Sequence, residues 1–61
     1  MSEDLNMFLE PGAFVRHPKY PDWGVGQVQS NVHGKITINF EHQGKCVIDS
    51  HYVALIPVQI T

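Results

Sequence analysis

Five side chains in this sequence have types that could carry chemistry: four histidines and one cysteine. The histidines are His17, His33, His42 and His51, at separations of 16, 9 and 9 residues, and the thiol is Cys46. Structural zinc sites use close pairs of ligands such as C-x2-C or H-x3-H, and no such pair occurs here. The sequence therefore predicts no metal site and no cofactor.

Nucleophilic catalysis is also not indicated. A cysteine nucleophile needs a histidine base beside it and a third group that orients the base. Cys46 falls within a strand pattern on the same face as Ile48, which favours a small, buried, apolar role. Gly24-x-Gly26 is followed by more strand and not by a helix, so it is not a nucleotide-binding loop. We predict that the chain is not an enzyme and has no catalytic residues.

Length and charge limit the function classes further. Sixty-one residues can form one domain at most, and a lone cysteine allows no internal disulfide. The formal net charge is −2, and the permanent cations are Arg16, Lys19, Lys35 and Lys45. Nucleic-acid binders concentrate positive charge, so four scattered cations favour a protein partner. A surface this poor in charge is typical of one that a partner covers.

The first ten residues show no basic segment followed by an apolar run, as a signal peptide would. No stretch approaches the ~20 apolar residues that span a membrane. We predict a cytoplasmic protein that makes no membrane contact.

The chain divides into two parts. Residues 1–10 are predicted to be a tail or a short helix, in which Leu5, Phe8 and Leu9 have helical spacing and would plug one end of the fold. Residues 11–61 alternate short strands with turns. Ile36, Ile38 and Phe40 alternate with polar residues and predict an inward-facing strand.

Five strands are expected in all, at residues 13–17, 23–31, 35–41, 45–49 and 54–58, with a single 3-10 turn at 50–53 that Tyr52 would anchor. His33-Gly34 and residues 42–44 are the predicted hairpin turns. Gly24 and Gly26 would allow a sharp bend, with a bulge between Val25 and Val28. Short strands joined by turns of two to five residues predict an all-β fold, a small five-stranded SH3-like or Tudor-like barrel.

Three segments carry a resemblance that covers nearly the whole chain: 14–18 (FVRHP), 21–30 (PDWGVGQVQS) and 39–42 (NFEH). They resemble the motifs of a family of short, free-standing bacterial proteins defined by a domain of unknown function. The resemblance implies a small β domain of the fold predicted above.

A second pattern consists of Val15, His17, 23–28 (WGVGQV), Phe40 and Gly44-Lys45. In this pattern the chain resembles the Tudor-like C-terminal domain of UvrD/PcrA-type repair helicases and, more loosely, the RNA polymerase-interacting domains of CarD and Mfd. This resemblance implies RNA polymerase binding in transcription or DNA repair. The chain departs from the helicase pattern in its longer loop before Gly24, in Trp23 and in Cys46, which stands where the pattern has a basic residue.

Two binding functions are therefore carried forward. The favoured one is a non-catalytic protein-interaction module, with the RNA polymerase β subunit as its partner and Arg16, Tyr20, Trp23 and Lys45 as its contacts. Trp23 would be either a lid on the core or an interface anchor. The alternative is a nucleic-acid-binding barrel that uses Arg16, Lys35, Lys45 and Trp23. A self-associating homo-oligomer is the third hypothesis.

Overall fold

A computed structural model describes residues 5–59 and shows an all-β fold, as predicted. Five strands form one antiparallel sheet in the order β4-β3-β2-β1-β5. The strands are β1 (Phe14–Arg16), β2 (Val25–Val32), β3 (Lys35–Phe40), β4 (Gly44–Asp49) and β5 (Ile56–Val58), and one 3-10 turn spans Pro21–Trp23. Among residues 5–59, β4 and β5 are the two edges of the sheet, so the fold is barrel-like and no hydrogen bonds between these strands close it.

Alternation along the strands separates an inner face from an outer face. In β3, Ile36, Ile38 and Phe40 are each at most 2% exposed, while Lys35 and Asn39 point to solvent. The inner face forms one apolar core, as the alternation predicted. Its buried members are Leu9, Val15, Val28, Ile36, Ile38, Phe40, Ile48 and Leu55.

Two tight turns connect the central strands, the first at the predicted residues 33–34 and the second at 41–43, one residue earlier than predicted. His33 and Gly34 both have positive φ, at 52° and 75°, which is the backbone of the primed hairpin turns that match strand twist. The turn between β3 and β4 ends at Gly44, whose φ is 83°. These turns hold β2, β3 and β4 in a continuous meander.

The bulge in β2 lies later than predicted. Val28 pairs with Ile38 and Ser30 with Thr37, so the register shifts between Val28 and Ser30 and not between Val25 and Val28. The extra residue lets Val28 remain on the core face while the end of the strand turns away. Gly26 lies opposite Phe40 in regular pairing.

The predicted helical plug at the N-terminus is wrong for the residues that the structure describes. Residues 5–8 form a turn, and residues 1–4 lie outside the described part of the chain. Leu5 is 41% exposed and Phe8 is 61% exposed, so only Leu9 of the three apolar residues enters the core. A polar residue, Asn6, is fully buried at this end.

Asn6 can be buried because both the nitrogen and the oxygen of its side-chain amide form hydrogen bonds. Its Nδ2 donates to Ser50 Oγ at 2.8 Å and to Val53 O at 2.7 Å. Its Oδ1 accepts from the backbone N–H of Leu55 at 2.8 Å. A buried amide is tolerated when its hydrogen bonds are made, and these bonds tie the N-terminal turn to the segment before β5.

The segment between β4 and β5 is a hydrogen-bonded turn in which Tyr52 N–H and Val53 N–H both donate to Asp49 O. The last strand is shorter than predicted, Ile56–Val58, and contains Pro57. Proline is tolerated there because β5 is an edge strand.

Candidate protein-interaction site

The loop after β1 brings two aromatic side chains together. Pro21 begins a 3-10 turn, in which Trp23 N–H donates to Tyr20 O at 3.0 Å and Gly24 N–H donates to Pro21 O at 3.1 Å. Residues three apart lie on the same side of such a turn. The rings of Tyr20 and Trp23 are accordingly stacked, with centroids 4.5 Å apart and planes 16° from parallel.

A buried histidine packs against both rings of this stack. The His17 ring lies 4.8 Å from Tyr20 and 5.0 Å from Trp23 between centroids, and it is only 5% exposed. Phe40 contacts Trp23 edge-on at 5.3 Å from the core side. We call His17, Tyr20, Trp23 and Phe40 the aromatic cluster. It is continuous with the core at one end and reaches the surface at the other.

The His17 imidazole is held neutral. Its Nδ1 accepts a hydrogen bond from Lys19 N–H at 3.1 Å, which places the ring proton on Nε2. Burial, and to a lesser extent the Lys19 charge, lowers the pKa of His17 below its ordinary value of 6.5. The Tyr20–Trp23 stack therefore rests on an uncharged ring at neutral pH.

The stack is only partly covered. Tyr20 is 41% exposed, whereas Trp23 is half-buried and packs against the core. Lys19 Nζ lies 5.8 Å from the Tyr20 ring centroid, within the range of a cation–π contact. Trp23 thus acts as a lid on the core, and whether it also anchors a partner stays a prediction.

At Gly24 the backbone of the aromatic cluster packs closely against the turn after β3. Its φ is 78°, and a methyl group in place of its hydrogen would lie 2.8 Å from both Glu41 Oε1 and His42 Cδ2. The same Glu41 oxygen accepts a hydrogen bond from Val25 N–H at 2.8 Å. Trp23 O accepts from His42 N–H at 3.0 Å. The close approach that fixes Trp23 therefore requires glycine at this position.

The outer face of the sheet carries a second feature, an open groove. Its volume is about 500 Å³, and it is lined by Phe14, Val25, Gln27, Asn39, Phe40, Glu41 and Gly44. Arg16 of β1 lies beside the groove, opposite Val25 of β2, and Lys45 of β4 lies opposite Asn39 of β3. The groove is built from a row of facing residues in β1, β2 and β3, which explains its mixed polar and apolar floor.

The four predicted contact residues fall on two surfaces. Tyr20 and Trp23 are stacked within the aromatic cluster. Arg16 and Lys45 are exposed on the outer face, since their neighbours Val15 and Cys46 point inward. Lys35, named for the nucleic-acid alternative, forms an ion pair with Asp49 at 2.9 Å.

Several exposed apolar side chains were missed by sequence reasoning. Tyr52 is 84% exposed although it was expected to anchor the turn after β4, and Phe8 is 61% exposed. Val47 on the edge strand β4 is 64% exposed. Alternation with Ile48 could have predicted the exposure of Val47, but nothing in the sequence distinguishes Tyr52 from a turn anchor.

Within residues 5–59, no three His, Cys, Asp or Glu side chains come close enough together to hold a metal ion. The described part of the chain also contains no helix that is long and apolar enough to cross a membrane.

The fold and the site define a small all-β domain with a partly exposed aromatic pair at one end and a groove on its outer face. The chain belongs to a family of proteins of unknown function, DUF3553, whose model matches residues 9–58. The match includes all five strands and the aromatic cluster. Searches of curated proteins and of solved structures found no match. The resemblance to an unknown-function family is thereby confirmed.

Proposed function

We propose that this chain is a non-catalytic protein-interaction module whose main contact is the Tyr20–Trp23 stack. The observation that carries the proposal is an exposed tyrosine stacked at 4.5 Å on a tryptophan that is itself packed on the core. A partner that covers these rings would gain apolar contact at little cost in side-chain entropy, because the rings are already fixed. Tyrosine and tryptophan are enriched at the energetic centres of interfaces for this reason.

RNA polymerase is the partner that the sequence resemblance suggests. Val15, His17 and residues 23–28 (WGVGQV), which match the helicase and CarD-like pattern, form β1, the aromatic cluster and the start of β2. The residues that resemble polymerase-binding domains therefore flank the loop that presents the stack, although this loop and Trp23 are places where the chain departs from the helicase pattern. Their position beside the stack supports a β-subunit segment of RNA polymerase as the first partner to test.

The charges favour a protein over nucleic acid. The formal net charge is −2. Of the cations named for phosphate binding, Lys35 is already paired with Asp49. Arg16 and Lys45 lie on the outer face, whereas Trp23 belongs to the cluster at the end of the sheet. Binding that depends on neutralising phosphates needs several cations on one surface.

The test is an NMR titration of the isotope-labelled chain. One arm adds fragments of the RNA polymerase β subunit, and the other adds a short DNA duplex and a single strand, each at low and high salt. We expect shifts in residues 16–26 with a polymerase fragment. Shifts with nucleic acid alone that disappear at high salt would contradict the proposal and favour the nucleic-acid alternative, because phosphate-driven affinity falls steeply with salt.

Tyr20→Ala distinguishes a binding role of the stack from a structural one. We expect it to weaken partner binding by about tenfold or more, the loss of an aromatic anchor worth ~1.5–2 kcal/mol. Tyr52→Ala is the matched control, since Tyr52 is the more exposed tyrosine and lies in a different turn. Equal effects of the two substitutions would show that the stack is not the contact.

A further inference from the structure

The two edges of the sheet differ in their capacity to accept another strand. β5 has three residues, and its central residue, Pro57, has no N–H to donate. β4 has six residues, Gly44–Asp49, and no proline. Within residues 5–59, β4 pairs on one side only, with β3. An unblocked edge strand is a template for a further strand, which is why natural edges are so often protected.

The register shows which backbone groups of β4 face the open side. Ser50 N–H donates to Gly34 O at 2.8 Å, and the pairing continues without a shift from Lys35↔Asp49 to Phe40↔Gly44. In an antiparallel ladder, hydrogen-bonded pairs alternate with non-hydrogen-bonded pairs. The even-numbered residues of β4 therefore bond to β3. The backbone N–H groups of Lys45, Val47 and Asp49 point away from the sheet.

We propose that the β4 edge binds the β4 edge of a second copy of this chain, antiparallel, with the two-fold axis at Val47. Val47 then lies opposite Val47 of the second copy. Lys45 of each copy lies opposite Asp49 of the other copy. Val47 is 64% exposed in the single chain. A two-fold interface must be complementary to itself, and this strand is.

The charges select this register over the others. An antiparallel pair of β4 strands bonds through the residues whose N–H groups point away from the sheet. The two-fold axis of such a pair can lie at, or between, Lys45, Val47 and Asp49. Centring at Lys45 or at Asp49 places like charges opposite each other, which is destabilising, and the intermediate registers place a charge opposite Val47. Only the register centred at Val47 pairs opposite charges.

Neighbouring side chains fit the same register. Asp49 already accepts a hydrogen bond from Lys35 Nζ at 2.9 Å on the adjacent strand. Lys45 of the second copy would lie on the other side of Asp49. The charges of Lys35, Asp49 and Lys45 of the second copy would then alternate in sign across the interface. On the inner face, Cys46 would lie opposite Ile48 of the second copy, and both side chains belong to or pack against the apolar core.

The interface is small, so the association should be weak. Asp49 O already accepts from Tyr52 N–H and Val53 N–H, which leaves four intermolecular backbone bonds. Two of them join the Val47 residues, and two run from Asp49 N–H to Lys45 O. One pair of short strands buries far less than the ~1,200 Å² of a standard stable interface. We expect a reversible dimer that forms between micromolar and millimolar concentration.

The first test measures mass against concentration by sedimentation equilibrium. The unmodified chain should shift from monomer to dimer as its concentration rises. Val47→Pro removes an N–H that β3 does not use, so the fold should survive while the dissociation constant of the dimer rises by about tenfold or more. Val47→Thr keeps the N–H and is the matched control, which should still dimerise. Circular dichroism checks that both variants are folded.

The second test traps the register by disulfide formation in a Cys46→Ala background. With Val47→Cys, the two thiols face each other across the axis, and directly opposite Cα atoms about 5.5 Å apart can be bridged. With Lys45→Cys, each thiol faces Asp49 of the second copy. Mild oxidation should therefore cross-link the first variant much faster than the second.

Any one of three results in these two tests would overturn the proposal. They are a monomer mass up to millimolar concentration, a dimer that Val47→Pro does not weaken, and equal cross-linking of the two cysteine variants. Protection of β4 amides only when a different protein is added would assign the edge to that protein and would also overturn it. The proposed use of the Tyr20–Trp23 stack does not depend on the outcome, because the stack is not part of β4.

Discussion

The side-chain oxygen of Asn6 accepts a hydrogen bond from the backbone N–H of Leu55 at 2.8 Å, across 49 residues of chain. The amide nitrogen of the same side chain donates to Ser50 Oγ and to Val53 O. One fully buried residue thus joins the N-terminal turn to the segment that leads into β5. Asn31 reinforces the junction by donating to Asn6 O and Leu9 O.

Asn6→Ala should lower the free energy of unfolding by about 3 kcal/mol. The substitution leaves the Leu55 N–H and the Val53 carbonyl buried without this partner, and each such group costs about 1–3 kcal/mol. Urea denaturation followed by circular dichroism measures the change. Asn39→Ala is the control, because Asn39 is exposed on the outer face of β3 and should change stability by less than about 0.5 kcal/mol. Equal effects would mean that the Asn6 bonds are dispensable.

These bonds also show why the helical plug, one of the two alternatives for residues 1–10, is wrong for the described residues. Leu5, Phe8 and Leu9 have helical spacing, and an asparagine between them gives no sign of burial. The burial of Asn6 is decided by Ser50, Val53 and Leu55, which lie at the other end of the chain. Local periodicity contains no information about partners so distant. The strands of the central meander were predictable because alternation and turn residues are local properties.

The candidate site was predictable in part for a similar reason. Two prolines and two aromatic residues in six positions indicated an exposed loop, and Tyr20 and Trp23 were named from it. Their stacking depends on the 3-10 turn, and their support depends on the burial of His17 beneath them. The separation of Arg16 from the stack follows from alternation, since His17 points inward and its neighbour must point outward.

Gly26→Ala should destabilise the fold by about 2–3 kcal/mol. A methyl group at this position would lie 2.5 Å from Ile38 Cγ2 and 2.7 Å from Phe40 Cδ1, both in the core. Overpacking a core by one methyl group typically costs about 1–3 kcal/mol. Thermal denaturation of the variant gives the change in melting temperature and, with the unfolding enthalpy, the change in free energy.

Ile38→Ala provides the control for this interpretation. It removes the Cγ2 atom that the new methyl group would meet, so the double variant should lose less stability than the two single variants added together. Strict additivity would show that the cost at Gly26 arises elsewhere, for instance from the backbone.

Trp23→Ala should be more destabilising than Tyr20→Ala. Trp23 packs on the core and contacts Phe40 edge-on at 5.3 Å, so its removal opens a space beside the core and should cost about 2–3 kcal/mol. Tyr20 mainly stacks on Trp23 and is 41% exposed, and its removal should cost about 1 kcal/mol. Urea titrations of both variants test the order. A larger cost at Tyr20 would mean that the stack, and not the core contact, holds the loop.

The stability of the fold should decrease as the pH falls through 6.5. The folded-state pKa of His17 is lowered from 6.5, first by burial and second by Lys19, so the unfolded chain takes up a proton at a pH where the folded chain does not. Stability rises with pH wherever the unfolded state binds more protons. The contribution of His17 is therefore fully present above 6.5 and is lost from 6.5 downward to the folded-state pKa, at up to about 1.4 kcal/mol per pH unit.

Urea denaturation at several pH values above and below 6.5 measures this slope, and His17→Gln should remove it. His42→Gln is the control, because His42 is an exposed turn residue and its substitution should leave the slope in place.

Asp49 has a pKa lowered chiefly by its hydrogen bond from Lys35, and its contribution is present above 3.8 and lost only as the pH falls below that value. The Asp49 window begins only at 3.8, so measurements kept well above that value report on His17. A slope that survives His17→Gln would show that another group takes up the proton on unfolding, and the neutral ring beneath Tyr20 and Trp23 would then have no part in the pH response.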